Sequence, residues 1–477
     1  MNIHTTARER KASDHFDLAV VGAGSAGFSA AIAAAELGAR VALVGHGTIG
    51  GTCVNVGCVP SKTLIRAAEA IHQVKKAGRF AGIMGEATLH DWQALLAQKD
   101  ELVSGLRAAK YADLLQEYDG IHYRHGAARL TSDGVQVNGT AIRAPRTIIA
   151  TGAAPAVPDI PGLQSVPYLT STEALALPEL PQSLIVIGAG YIGLELAQMF
   201  SRFGTKVTVM CRSRILPEAE PEISEALEGY LSDEGIKALK GVIYRRITTE
   251  SNGVKLVIER VGIEDAVEAQ HVLVATGRRP NTDDLGLMEA DIRLSQRGGI
   301  EIDEHLRTSN PNAYAVGDVT GRDMYVYMAA YGGKRAAENA LNGANHCYDA
   351  RAMPAVTFTD PQVATVGLTE RQALGRGHDV KTSVLPMEAV PRALAARDTR
   401  GLIKLVADRN DDRLLGAHIL APEGGDSIQT AAIAIAQQMT VKDLASTIFP
   451  YLTTVEGLKL AAQTFDKDVS KLSCCAG

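Results

Sequence analysis

Six cysteines stand at positions 53, 58, 211, 347, 474 and 475. Four of them form two close pairs, and the pairs are where chemistry is expected. Cys53 and Cys58 lie in GGTCVNVGCVPSK, Gly50 to Lys62, with four residues between them. The residues after Cys58 read as a helix, and the positive end of a helix favours thiolate over thiol. A thiolate there can attack a disulfide, bind a soft metal or donate charge toward an oxidised flavin. A structural disulfide is the competing use. Cys474 and Cys475 are adjacent in KLSCCAG. Consecutive Cα atoms lie ~3.8 Å apart, below the roughly 4.4–6.8 Å of ordinary disulfides, so this pair is a poor bridge. Two neighbouring thiolates suit a soft, thiophilic cation. A frayed tail without function is the alternative. Cys211 and Cys347 stand alone and read as inert packing.

Glycines mark the second kind of chemistry. In FDLAVVGAGSAGFSAAIAAAELGARVALV, Gly22, Gly24 and Gly27 fall between a strand and a helix. In SLIVIGAGYIGLELAQMFSRFGTKVTVM, Gly188, Gly190 and Gly193 repeat the pattern. Such glycines let the backbone turn sharply and approach a pyrophosphate, which then faces a helix N-terminus. One such turn is a weak signal, but two in strand–turn–helix frames are a strong one. A carboxylate is expected at the end of the following strand, to hold a ribose hydroxyl pair. At the first turn Gly45 takes that position, which weakens the grip unless His46 or water replaces it. At the second turn Cys211 takes it, followed by Arg212 and Arg214. Two guanidiniums with no carboxylate favour a 2′-phosphate, hence NADPH over NADH.

The elements that must position these residues follow from patterning. Phe16 to Val21 and Arg40 to Val44 read as strands around an alanine-rich helix. PSKTLIRAAEAIHQVKKA reads as an amphipathic helix, with Leu64, Ala67, Ala68, Ile71 and Val74 on one face and Pro60 in the first turn. Trp92 to Tyr118 reads as one further helix. TIIATGAAP and HVLVATGRRPN read as strands ending in tight turns. The proline-rich stretch from Pro158 to Gln182 reads as a linker. Beyond Met353–Pro354, the stretches AVTFTDPQVATVGL, RGLIKLVADRN and LLGAHILAP alternate like antiparallel strands. Helices are expected near Ser427–Gln438 and Val455–Thr464.

Length and charge narrow the classes. The chain has 477 residues, room for about three domains. A net charge of −6 presents no basic surface for nucleic acid. No apolar run reaches the ~18 residues of a membrane span. The polar start, MNIHTTARERKASDH, is no secretory signal and reads as a flexible leader over 1–15, so a cytoplasmic setting is the default.

The loop Gly50–Lys62 resembles the active-site loop of the pyridine nucleotide-disulfide oxidoreductases. ATG at Ala150–Gly152, ATGRRPN at Ala275–Asn281 and YAVGD at Tyr314–Asp318 match landmarks of the same family. The resemblance covers nearly the whole chain. It implies an α/β fold with two Rossmann-like dinucleotide-binding domains and a C-terminal α+β dimerisation domain. The expected domains are FAD-binding at 16–150 and 281–352, NADPH-binding at 151–280, and dimerisation at 353–477. By the same likeness FAD contacts fall at Gly22, Gly24, Ala26, Gly27, Gly47, Thr52, Lys62, Ala128, Asp318 and Val326. The nicotinamide cofactor falls at Gly188, Gly190, Gly193, Arg212 and Arg214. Lys62 would sit beside the flavin and pair with Glu195, Cys58 would contact the flavin, and Cys53 would meet the substrate.

Two features choose a branch. Disulfide-reducing members carry a His–Pro–Thr run with a Glu five residues after the His, which moves a proton to the leaving thiol. Here FPYLTTVEGLKLA keeps Glu456 but places Tyr451 at the histidine position. A phenol with pKa near ~10 is a poor base at neutral pH; a packed aromatic is the plain alternative for Tyr451. Together with the tail pair, this resembles the mercuric reductases. That likeness implies NADPH-dependent reduction of Hg(II) to Hg(0) in a homodimer whose active sites are shared between subunits. Hg(II) held as a thiol complex would pass from Cys474 and Cys475 of one subunit to Cys53 and Cys58 of the other, with Tyr111 and Tyr451 around the metal. Many mercuric reductases carry an N-terminal metal-binding domain with paired cysteines. No cysteine precedes Cys53, so a short form or a catalytic core is expected. The alternatives are a flavin reductase of a small disulfide, and a flavoprotein that binds thiophilic metal without reducing it.

Overall fold

A computed structural model describes residues 15–131 and 134–469. The leader up to residue 14 and the tail pair Cys474 and Cys475 lie outside the described residues. By internal packing the chain divides into two compact units, each assembled from three separate segments.

The first unit comprises Met1–Asn55, Ser104–Ala154 and Arg279–Tyr348. Its centre is a parallel sheet in the order Ala313–Ala315, Thr147–Ile149, Leu18–Val21, Val41–Gly45, Ile121–His125. The first two strands in sequence, LAVV and VALVG, are buried throughout. Continuous apolar runs of this kind suit parallel strands covered on both faces. The helices Ser25–Glu36 and Val326–Asn342 both contribute to the apolar core built on this sheet. They approach closely because small residues line the contact: a Cβ on Gly333 would fall 2.3 Å from the carbonyl oxygen of Ala26. A small antiparallel meander spans Ala128–Thr131, Gly134–Val137 and Thr140–Ile142.

The second unit comprises Val56–Val103, Pro155–Arg278 and Asp349–Gly477. One parallel sheet runs Lys237–Leu239, Lys206–Met210, Ser183–Ile187, His271–Val274. A three-stranded antiparallel sheet over Ile243–Glu250, Gly253–Arg260 and Ile263–Ala269 is an excursion that sequence patterning does not anticipate. The C-terminal part is a five-stranded antiparallel sheet. Its order is Pro354–Thr357, Gln362–Gly367, Leu414–Ala421, Leu402–Asp408, Val380–Pro386. The helices Gly424–Ala436 and Glu456–Gln463 share its apolar core.

The expected helix from Trp92 to Tyr118 is a correction. The α-helix ends at Arg107, a wider π turn continues it over Ala108–Ala112, and a 3₁₀ turn covers Leu114–Glu117. The π turn contains Tyr111, whose ring stands edge-on to Phe28 at 4.9 Å between centroids. A π turn inserts an extra residue per turn and rotates the residues beyond it, and such turns recur at functional sites. Sequence periodicity cannot register that rotation.

Candidate functional site

The first glycine turn has the geometry its spacing implies. Gly22 has φ +123°, and a Cβ there would fall 2.1 Å from the carbonyl oxygen of Ala150. Gly27 lets the helix pack onto the turn, since its Cβ would fall 1.7 Å from the oxygen of Gly22. The helix Ser25–Glu36 starts with no side-chain cap and no acidic residue in its first turn. Its leading N–H groups are therefore available to an anion. A Cβ on Gly24 would meet only the Cα of Gly51, at 3.6 Å. The donors and the open approach fit the pyrophosphate of a dinucleotide.

The same turn holds the cysteine loop. Gly50 has φ +95° and donates its N–H to the Ala23 oxygen at 2.9 Å. A Cβ on Gly51 would fall 2.7 Å from the Cα of Gly24, so the two glycine turns pack backbone to backbone. Thr52 and Cys53 lie in the short helix Gly51–Val56. Asn55, inside the Gly50–Lys62 motif but not among the residues named from it, fastens this helix. Its Nδ2 donates to Ile49 and Gly51 oxygens at 2.9 and 2.8 Å, and its Oδ1 accepts from Arg107 at 3.2 Å. Tyr111 belongs to this group: its hydroxyl lies 3.2 Å from Ser25 Oγ, and its ring would meet a Cβ on Gly50. Of the residues named from resemblance, Tyr111 is the one in the least distinctive stretch.

Cys58 opens the helix Cys58–Lys75, again with no side-chain cap and no acidic residue in the first turn. That terminus presents partial positive charge to a sulfur anion. One turn on, Lys62 Nζ pairs with Glu195 Oε2 at 2.7 Å. The lysine side chain is 32% exposed and the carboxylate 4%. The other oxygen of Glu195 accepts the Phe358 N–H at 2.9 Å, and the Lys62 ammonium lies 4.8 Å from the Phe358 ring centroid. The cation thus keeps one open side and is held on the others by a carboxylate and an aromatic face. Phe358 carried no sequence signal for this role.

Glu195 is positioned by the second fingerprint. Gly188 has φ +111°, and the uncapped helix Tyr191–Arg202 begins after Gly190, around which a Cβ would meet nothing within 4 Å. That open, uncapped N-terminus fits a second dinucleotide phosphate. Gly193 packs its helix onto the turn as Gly27 does. The buried face of the helix carries Glu195, Gln198 and Arg202, spaced by three and four. Gln198 exchanges hydrogen bonds with the Asp360 backbone at 2.8 and 2.9 Å, and Arg202 binds Asp360 and Glu234. One helix face thus fixes both the lysine and the segment carrying Phe358.

The two arginines after the strand Lys206–Met210 differ. Arg214 is tied to its own loop, with Nη2 donating to Pro217 and Ala219 oxygens at 3.0 and 2.6 Å. Arg212 is exposed. Cys211 is buried, and desolvation raises its thiol pKa, consistent with an inert residue. Cys347 is exposed, with its sulfur 3.9 Å from His305 Nδ1.

The other expected flavin contacts lie in the first unit. Ala26 is buried in the first helix, Gly47 is an exposed turn residue with φ +79°, and Ala128 begins the small meander. Asp318 lies in the 3₁₀ turn Gly317–Thr320, and Val326 is the first residue of its helix. The ATG and ATGRRPN motifs meet: Thr151 Oγ1 donates to the Asn281 oxygen at 2.7 Å, and Asn281 Nδ2 returns a bond at 2.9 Å. Tyr451 is 56% exposed. Glu456 is buried, and its carboxylate accepts the Leu452 N–H at 3.2 Å.

Residues 16–342 match the pyridine nucleotide-disulphide oxidoreductases, and residues 353–462 match the dimerisation domain of that group. The chain belongs to the pyridine nucleotide-disulphide oxidoreductase family. The expected fold class holds, and the chain is an oxidoreductase whose family implies FAD and NADPH as cofactors. The C-terminal match supports a homodimer. Among the described residues no helix is long and apolar enough to cross a membrane. Within the family, the chain is 50% identical to the mercuric reductase of Staphylococcus aureus, over 97% of this chain and 84% of that one. It is 48% identical to the mercuric reductase of Streptomyces lividans, over 97% of this chain and 98% of that one. A similar solved structure is the HOCl-induced flavoprotein disulfide reductase RclA from Escherichia coli. It matches with a TM-score of 0.82 and 31% identity, over 94% of this chain and 99% of that chain.

Proposed function

We propose that this chain reduces Hg(II) to elemental mercury with NADPH, in a cytoplasmic detoxification role. The observation that carries the reading is the likeness to curated mercuric reductases over 97% of the chain. Bound FAD would take a hydride equivalent from NADPH and pass an electron pair onward. The balance is NADPH and Hg(II) giving NADP⁺, one proton and Hg(0).

The chain's own residues have distinct parts. The uncapped helices after Gly24 and Gly190 bind the dinucleotide phosphates. Lys62, held by Glu195, would offer a cation to the negative charge of reduced flavin. Cys53 and Cys58 hold Hg(II) as a dithiolate, and Cys474 and Cys475 of the partner subunit deliver it from Hg(II)–thiol complexes. Each delivery step exchanges one Hg–S bond for another, so no leaving thiol needs a proton from an imidazole. Tyr451 in place of that imidazole is compatible with this chemistry. Glu456 accepts the Leu452 N–H through one oxygen of its carboxylate.

The test is Hg(II)-dependent NADPH oxidation by the purified protein under excess thiol, with trapped vapour. One mercury atom released per NADPH consumed is expected. NADPH loss without vapour, or turnover of a small disulfide instead, rejects the reading.

A further inference from the structure

Gly45 stands at the end of the second strand of the first dinucleotide unit, where a carboxylate ordinarily holds the adenosine ribose. The structure shows what fills the space. A Cβ built on Gly45 would fall 2.7 Å from the Tyr123 hydroxyl, 2.9 Å from Tyr123 Cε2 and 2.7 Å from the Ala23 Cβ. Tyr123 is on the neighbouring parallel strand, in register with Leu43. Side chains two apart on a strand share a face, so Tyr123 projects from the same face as Gly45 and begins about 6.6 Å behind it. The length of a tyrosine spans that distance and brings its hydroxyl to the strand end.

We propose that Tyr123 replaces the missing carboxylate and hydrogen-bonds the adenosine ribose of FAD. The assignment rests on the reading of the first glycine turn as the FAD site. A carboxylate only accepts hydrogen bonds, whereas a phenol donates one and accepts others. Each ribose hydroxyl can do both, so the exchange is chemically permitted. Burial raises the Tyr123 pKa, so the hydroxyl keeps its proton at neutral pH and remains a donor. Gly45 is then required: a side chain there would meet both Tyr123 and Ala23, the middle residue of the glycine turn. His46, the other substitute within reach in sequence, is exposed.

The test compares FAD with an analogue whose adenosine ribose lacks both hydroxyls, each rebound to flavin-stripped full-length protein. Tyr123→Phe keeps the ring and removes one hydroxyl. The expected result is an FAD dissociation constant raised about tenfold, the value of one hydrogen bond of about 1.4 kcal/mol, with no change for the analogue. Equal weakening of both ligands would assign Tyr123 to packing alone and overturn the proposal, as would unchanged FAD affinity. Unaltered protein that binds neither ligand would instead sink the FAD reading, and this assignment with it.

Discussion

Lys62 and Glu195 are 133 positions apart and meet at 2.7 Å, with the carboxylate almost wholly buried. The lysine comes from the first turn after Cys58 and the glutamate from the helix opened by the second fingerprint. Lys62→Met should lower the two-electron flavin potential by tens of millivolts, since about 30 mV corresponds to about 1.4 kcal/mol of lost stabilisation of the reduced form. It should also slow flavin reduction by NADPH roughly tenfold or more. Anaerobic potentiometry and stopped-flow absorbance read the two effects. An unchanged potential would mean the cation does not face the flavin.

Arg212 and Arg214 should separate on substitution. Arg212→Ala is expected to raise the Michaelis constant for NADPH by about tenfold or more and leave that for NADH nearly unchanged, because only one of the two carries a 2′-phosphate. Arg214→Ala should instead lower the melting temperature, because its guanidinium serves the Pro217 and Ala219 carbonyls. Equal loss for both coenzymes in the Arg212 variant would remove it from the phosphate site.

The tail pair is tested by Cys474→Ala with Cys475→Ala. Mercury turnover at high thiol concentration should fall by about an order of magnitude or more, since delivery by thiolate exchange is lost. Flavin reduction by NADPH should be untouched. Full mercury turnover across a range of thiol concentrations would show that delivery bypasses the tail.

His72 sets an acid limit. It is buried on the helix that begins at Cys58, with Nε2 3.7 Å from Glu234. Burial, reinforced by Arg202, lowers its pKa from 6.5 to about 4. The unfolded chain therefore binds a proton on His72 that the folded chain refuses. The stability this supplies is whole above about pH 6.5 and drains as pH falls toward 4. Urea unfolding between pH 7.5 and 4.5 should show that slope, and His72→Gln should reduce it. Part of the slope should remain, because His418 is also depressed by burial. An identical slope in the variant would place the titration elsewhere.

Lys404 is 1% exposed and meets Glu220, Glu222 and Glu370 at 3.1, 2.8 and 2.8 Å. Lys404→Ala leaves Glu220, itself 2% exposed, without its cation. Breaking such a buried pair costs about 3–5 kcal/mol. Denaturant unfolding should show a loss of that order, and Lys404→Ala with Glu220→Gln should recover part of it. A loss below about 1 kcal/mol would mean that water reaches the cluster.

Local order explains why much of the site was legible in the chain alone. The glycine turns, the cysteine loop and the strand–helix–strand frames are contiguous, and their chemistry depends on residues a few positions apart. The uncapped helix starts after Gly24, Gly57 and Gly190 are of this kind. The sequence by itself therefore determined the fold class, the two dinucleotide turns, the family and the cysteine pair.

The tertiary structure decided what depends on distant segments. Phe358 receives the Lys62 ammonium, Asn55 and Arg107 brace the cysteine loop, and a π turn carries Tyr111 to Phe28. Gly45 looked like a missing ligand until Tyr123 was found in its space. Arg214, a candidate phosphate ligand in the chain alone, also holds the Pro217 and Ala219 carbonyls through its Nη2. Patterning reports which residues are apolar and how they repeat along one element. Side-chain reach between elements depends on strand register and helix placement, and those are set only when the whole core packs.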